Sequence, residues 1–351
     1  MLRQVRLFPR FALKAFFLTI LLVLALTLPA QSQEMAQEIK TLLSIDSPLS
    51  PELSQNKKDL RTFYERRAYA PAWVVSQENK DVLTGFLSTT RTFAAYHGLN
   101  ENDYPIAQLE KQIDHLGEAD ATKLELLITS WLLQIAHDLQ GDSVNLTHLY
   151  PGWTFTRAKK DVALGLAQAI ADDKIQAFFD SLPPQSLTYT QLAGALKTYR
   201  ELLTAEHDWP RVAPGPAMNP GVQDARLTQV RERLKAEGYQ FQSPSDVEGI
   251  NFYDDTLKNV VIAYQSRNGL QADGVIGGQT IAALNVSLLE RIGQISANME
   301  RLRHRPDYMP QRYALVNIAD ASIEVIDNGQ TLYHDVVIVG QPERKTPFIQ
   351  S

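Results

Sequence analysis

The chain has 351 residues, enough for two or three domains of ordinary size. Hydrophobic residues make up 44% of it and charged residues 21%, which excludes a disordered chain, a collagen-like chain and a many-span membrane protein. It contains no cysteine, so its own residues build no disulfide, cysteine zinc site, iron–sulfur cluster or cysteine nucleophile, and a net charge of −6 argues against broad nucleic-acid binding.

Arg3, Arg6, Arg10 and Lys14 precede an uncharged apolar run from Ala15 to Leu28. Pro29 breaks that run, and Ala30-Gln31-Ser32 offers a small-x-small cleavage site. This is the layout of a secretory signal over residues 1–32. The run is short for a membrane span of about 20 residues, and an uncleaved anchor is the alternative. Either way the rest of the chain is expected to be exported.

Residues 33–59 read as a polar linker with helical patches, and the Ser, Asp and Pro of Ser44 to Pro51 favour turns. Residues 60–210 read as a helical domain. Thr122 to Leu139 carries Leu124, Leu127, Ile128, Trp131, Leu132 and Ile135 at spacings of three and four, an amphipathic helix with a wide apolar face. Val162, Leu166 and Ile170 form a second stripe, and Leu192, Leu196, Tyr199 and Leu203 a third; core packing accounts for all of them. His97, His115, His137, His148 and His207 include no i, i+4 pair and no HExxH, so no metal site and no cofactor are expected. Trp209 to Gly221 holds four prolines and two glycines, which no helix or central strand survives, and reads as the best domain boundary.

Residues 221–286 read as three helices. Leu227, Val230 and Leu234 share one face and Gly238 stops that helix; Leu257, Val261 and Tyr264 share the face of the next. Asp273-Gly274 and Gly277-Gly278 mark tight turns before a short third helix with Ile281 and Leu284. The series Tyr264-Gln265, Gly269-Leu270, Asp273-Gly274, Gly277, Thr280 and Leu284-Asn285 resembles the signature of the peptidoglycan-binding domain type 1. The resemblance implies binding to cell-wall glycan, with Tyr264, Gln265, Asp273 and Thr280 as candidate substrate-binding residues. The competing reading is that Asp273, Gly274, Gly277 and Thr280 only build the turns, with Asp273 capping and Thr280 starting the last helix. Trp153, Trp209 and Tyr239 are aromatics that could stack on sugar, although buried packing explains each as well.

Ser287 and Glu290 form a capping box for a connecting helix over residues 287–306, with a stripe of Leu289, Ile292, Ile295, Met299 and Leu302 and a basic end at Arg301, Arg303 and Arg305. That basic end suits the helix dipole, and a clamp for anionic wall groups is the alternative. After Pro310 the period becomes two. Tyr313 to Ile318 and Ser322 to Asp327 read as strands, Asn328-Gly329 as a hairpin turn, and Leu332 to Val339 as the return strand. His334 reads as a solvent-facing strand residue. A lone hairpin is not stable in water, so residues 311–351 look like the opening of a larger β domain.

Three further runs carry a second resemblance: Asn298-x-x-Arg301-Leu302-Arg303, Val316-Asn317-Ile318, and Val337-Ile338-Val339-Gly340-x-Pro342-x-Arg344-Lys345-Thr346-Pro347. They resemble the entry into the YkuD-type catalytic domain of YcbB-like L,D-transpeptidases. Phe63-Tyr64-x-x-Arg67-x-Tyr69-x-Pro71-Ala72-Trp73 resembles the start of the helical scaffold domain of those proteins. The expected fold is therefore α+β: a mainly helical scaffold, a three-helix peptidoglycan-binding module, and the first strands of an incomplete β-rich catalytic domain. The resemblance implies a periplasmic enzyme that joins peptidoglycan stem peptides by 3–3 cross-links through a cysteine thioester. A soft nucleophile, an activating histidine and oxyanion donors are the requirements of that chemistry. The family's Ser-x-Gly-Cys-x-Arg motif matches no position here, so no catalytic residue is assigned, and the chain is expected to be a fragment of a longer protein. The expected partners are tetrapeptide stems and glycan strands, with other wall-synthesis enzymes as further candidates. A non-catalytic exported wall-binding protein is the alternative; a zinc amidase or carboxypeptidase would need metal ligands whose spacing is not seen.

Overall fold

The structure, a computed structural model, describes residues 30–44, 50–73, 79–115, 121–149, 157–204, 209–306, 309–318 and 321–340. Nearly all of the expected signal, Trp153, His207 and the Pro342 to Pro347 run lie outside the described residues. The fold is α+β and mainly helical. In chain order the helices are α1 (Ala30–Leu42), α2 (Pro51–Ser54), α3 (Lys57–Arg66), α4 (Lys80–Tyr96), α5 (Ile106–Asp114), α6 (Ala121–Leu139), α7 (Leu146–Leu149), α8 (Val162–Ala171), α9 (Ile175–Asp180), α10 (Leu187–Thr204), α11 (Arg226–Ala236), α12 (Val247–Ile250), α13 (Asp255–Arg267), α14 (Gly278–Leu284) and α15 (Leu288–Arg303). Strands β1 (Arg312–Asn317), β2 (Ser322–Asp327) and β3 (Gln330–Val336) follow as an antiparallel sheet in that order.

Two compact units form. The first takes in residues up to Ala95, Asn100–Ser143 and Lys159–Pro183; the second takes in Tyr96–Leu99, Val144–Ala158 and Pro184–Ser351.

In the first unit α6 is apolar on nearly every side and is buried accordingly: Leu126, Ile128, Leu133, Ile135, Ala136 and Leu139 have no exposed surface. Helices α1, α2, α3, α5 and α8 pack around it. The span expected as a linker is more ordered than its composition suggests. It carries α1 and α2 and buries Ile39, Leu43 and Leu53, because these few apolar residues fall on the inward face of otherwise polar helices. Past α3 the backbone reverses through two left-handed residues, Ala68 (φ 51°) and Tyr69 (φ 64°). Such angles are unfavourable for residues with a Cβ and persist where the surroundings enforce them. Here the enforcing group is the carboxylate of Glu125 on α6, which is fully buried. It accepts from the backbone N–H groups of Ala72 and Trp73 and from the Tyr64 hydroxyl at 2.9 Å. Thr129, one turn on, accepts from the indole N–H of Trp73 at 2.9 Å. Arg67 donates to the carbonyls of Ala70 and Pro71. The Phe63 to Trp73 motif is thus the description of one buried clasp.

In the second unit the module core joins Leu227, Val230 and Leu234 of α11, Leu257, Val261 and Tyr264 of α13, and Ile281 and Leu284 of α14, with Tyr253 and Ile276. The proline-rich stretch before α11, expected as a domain boundary, contributes side chains to this core. Val212 and Met218 are buried in it, and Met218 pairs with Ile276 backbone to backbone. Proline forbids regular ladders but not burial of the residues between prolines. Asn285, just past α14, closes the module: its side chain accepts from Val212 N–H at 2.8 Å and donates to Val212 C=O at 2.9 Å.

Helices α10 and α15 pack on each other through Tyr189, Leu196, Leu288, Ile292 and Met299, with Trp209 in the same cluster. Helix α10 therefore packs with α15 in the second unit. The expected stripes are off by one residue at two points. Leu288 is buried and Leu289 is 65% exposed; Leu202 packs inward while Leu203 faces water. Either leucine of such a pair satisfies the spacing, and the partner surface decides between them. The capping box at Ser287 and Glu290 is present in both directions.

In the sheet, Asn328 (φ 50°) and Gly329 (φ 76°) form the turn with both residues left-handed, as a two-residue hairpin requires. The return strand runs from Gln330 to Val336, earlier than the apolar run Leu332 to Val339 suggests, because register is counted from the turn. Every residue of β3 is exposed. His334 is among them and lies 3.6 Å from Glu324.

Candidate functional site

The four candidate binding residues sit on α13 and in the turns before and within α14. Gln265 ties two of the others together. Its side-chain amide donates towards Asp273 Oδ1 (3.1 Å), the Val275 carbonyl (3.0 Å) and Thr280 Oγ1 (3.2 Å), and its carbonyl accepts from Gly274 N–H at 2.8 Å. Thr280 donates back to the Val275 carbonyl. The Tyr253 hydroxyl donates to the Gly274 carbonyl at 2.7 Å, and Gly274 has φ +74°. Only a residue without a Cβ adopts that angle at no cost.

Gln265 and Thr280 are buried, as is Tyr264, which lies apart from this knot beside Tyr239. Burial pushes the Tyr264 hydroxyl up to about 12. Asp273 alone of the four is exposed, and its Oδ1 also accepts from Val275 N–H at 2.8 Å. The cap of α14 is Gly277, not Asp273, and Thr280 stands inside that helix. The polar atoms of Gln265 and Thr280 are thus turned into the module, where they hold the Asp273-Gly274 turn. The large apolar groups that the module itself presents to water are Val222, Val247 and Phe252.

Two residues the pattern did not reveal carry much of the polar framework. Arg231 and Arg233 on α11 are buried, although arginines in an amphipathic helix read as surface. Arg231 donates to the carbonyls of Ile250 and Phe252 and pairs with Asp254 at 2.6 Å. Arg233 donates to Leu284 C=O at 2.6 Å and pairs with Glu237 at 2.8 Å. Burial lowers the Arg233 pKa from its usual range, and the charge of Glu237 opposes that fall. Their only signal in the sequence is the spacing of two, which places them beside the apolar face of α11.

Residues 223–284 match the family of a putative peptidoglycan binding domain. Residues 58–196 match the family described as a Scaffold domain. No curated protein matches the chain. A module similar to a peptidoglycan-binding domain supports association with the cell wall and makes peptidoglycan the supported partner.

Proposed function

We propose that the chain supplies the scaffold and wall-binding parts of a periplasmic L,D-transpeptidase, an acyltransferase that forms 3–3 cross-links between peptidoglycan stem peptides. One observation carries this reading: a Scaffold-domain match and a peptidoglycan-binding match stand in that order in one chain, followed by an antiparallel sheet. In this reading the module holds glycan strands or stem peptides, and α15 leads directly from it to the sheet on which the chemistry would be built. The thioester step needs a thiolate, and none of the 351 residues is a cysteine. The nucleophile and its histidine would therefore come from residues outside this sequence. Export through residues 1–32 fits the same reading, as does contact with other wall-synthesis enzymes.

The absence of cysteine also favours a second reading, an exported wall-binding protein without chemistry. Two measurements decide. Purified sacculi should retain the chain in a pull-down, and failure to bind would remove both readings. The intact mass of the native protein in its source cells then separates them. A mass well above that of these 351 residues supports the enzyme, and a mass at or below it supports the binding protein. The 351-residue chain alone should release no D-alanine from a tetrapeptide donor, and any turnover would refute the assignment of the nucleophile to other residues.

A further inference from the structure

The proline-rich stretch that opens with Trp209 reads in the sequence as a domain boundary, yet its first residue is firmly held in the second unit. Trp209 is only 5% exposed. From one side it packs in the cluster of α10 and α15, with Tyr199 edge-on at 5.5 Å between ring centres. From the other side the guanidinium of Arg233 lies 3.8 Å from the centre of its ring. Arg233 belongs to the module: its side chain has no exposed surface, and it is fixed there by Leu284 C=O and Glu237. A desolvated guanidinium stacked on an indole is a strong and directional contact. A second tie runs parallel to it. Arg291 of α15 donates to Asn268 at 2.9 Å and towards the Ala283 carbonyl, both in the module.

We infer that the stack of Arg233 on Trp209 is a latch that makes the wall-binding module and the α10–α15 pair one rigid lever. A tethered binding module would leave whatever follows α15 at a broad range of distances from its site. A latched one sets a single reach from the module to the start of the sheet. The latch itself does not depend on what the module binds; its use as a ruler along the wall rests on the function proposed above.

The absence of native cysteine makes the test direct. Gln191→Cys on α10 and Asn259→Cys on α13, both at exposed positions, accept spin labels at those two sites and nowhere else. Pulsed dipolar spectroscopy on the full chain, with no glycan present, should give one narrow distance distribution. Trp209→Ala should broaden it severalfold, while Trp209→Phe, which keeps a ring, and Arg233→Lys, which keeps the charge but loses the planar stack, should fall between. Circular dichroism checks that each variant keeps its helices. A broad distribution in the otherwise unaltered chain overturns the latch, even if every Trp209 variant fails to fold. So does a folded Trp209→Ala protein as narrow as its parent. Because no wall material is added, this outcome is independent of the sacculus pull-down.

Discussion

Glu125 shows how much one side chain can specify. Its carboxylate takes two backbone N–H groups and a phenol, and so holds the chain reversal after α3 through contacts more than fifty residues apart in sequence. Burial pushes its pKa upward, while the bonds from Ala72, Trp73 and Tyr64 and the charge of Arg67 pull against that rise. Glu125→Gln replaces an acceptor oxygen with an amide that faces a backbone donor. It should cost about 2–3 kcal/mol, close to the penalty of a buried unpaired group, read as a fall in the denaturant midpoint. Because the native pKa is raised, acidification should not cost stability through this group. His137 behaves differently. It bridges Asp142 at 3.0 Å and Asp59 at 2.9 Å, and the hydrogen bond it donates to Asp142 leads in raising its pKa against the effect of burial. Its contribution is therefore complete below the ordinary histidine value and is lost as pH rises through the raised one. The melting temperature should decline as pH rises past the ordinary histidine range, and His137→Gln should flatten that decline.

At the scale of elements, close approach and open edges govern what is expected. Gly98 has φ +78° and abuts α15, where an added Cβ would lie 3.1 Å from the Cα of Ser296. Gly238 has φ +96° but open space around it. Gly98→Ala should cost about 2–4 kcal/mol, strain and overlap together, and Gly238→Ala about 1 kcal/mol, both measured by chemical denaturation. Among the described residues β3 is an edge strand, with Leu332, Tyr333 and Val336 exposed. Such an edge pairs with other chains unless it is charged. Leu332→Lys should lower the self-association seen by sedimentation at high protein concentration. The helices were legible because burial of one face imposes their period, as in α11 and α13. The Asn328-Gly329 turn was legible because few other pairs adopt its angles. What was not legible depends on partners distant in sequence. Leu288 and Leu289 are equivalent until α10 selects one, and the burial of Val212 and Met218 between prolines leaves no local trace. The four signature residues of the module were easy to find for a related reason. Three of them are bound into the geometry that makes the module recognisable, so the pattern reports the scaffold of the site more directly than its contact surface.

At the scale of the whole molecule, the charge balance sets the conditions under which wall binding should be seen. The chain carries a net −6, and peptidoglycan stems carry free carboxylates. Long-range repulsion between the two is screened by salt. Retention on sacculi should therefore hold or rise as salt increases from about 0.05 M to about 0.5 M, the reverse of what a basic, charge-driven binder gives. Domain order was readable from the sequence, but the grouping of α10 with α15 was not, since nothing local in α10 says which helix will cover it. The reciprocal bonds between Asn285 and Val212 have a mechanical meaning as well. They bring the entrance and the exit of the module together at one point, so tension applied along the chain is shared by that pair of hydrogen bonds acting in parallel. A stretched wall could load the polypeptide on both sides of the module while the helices between remain unstrained.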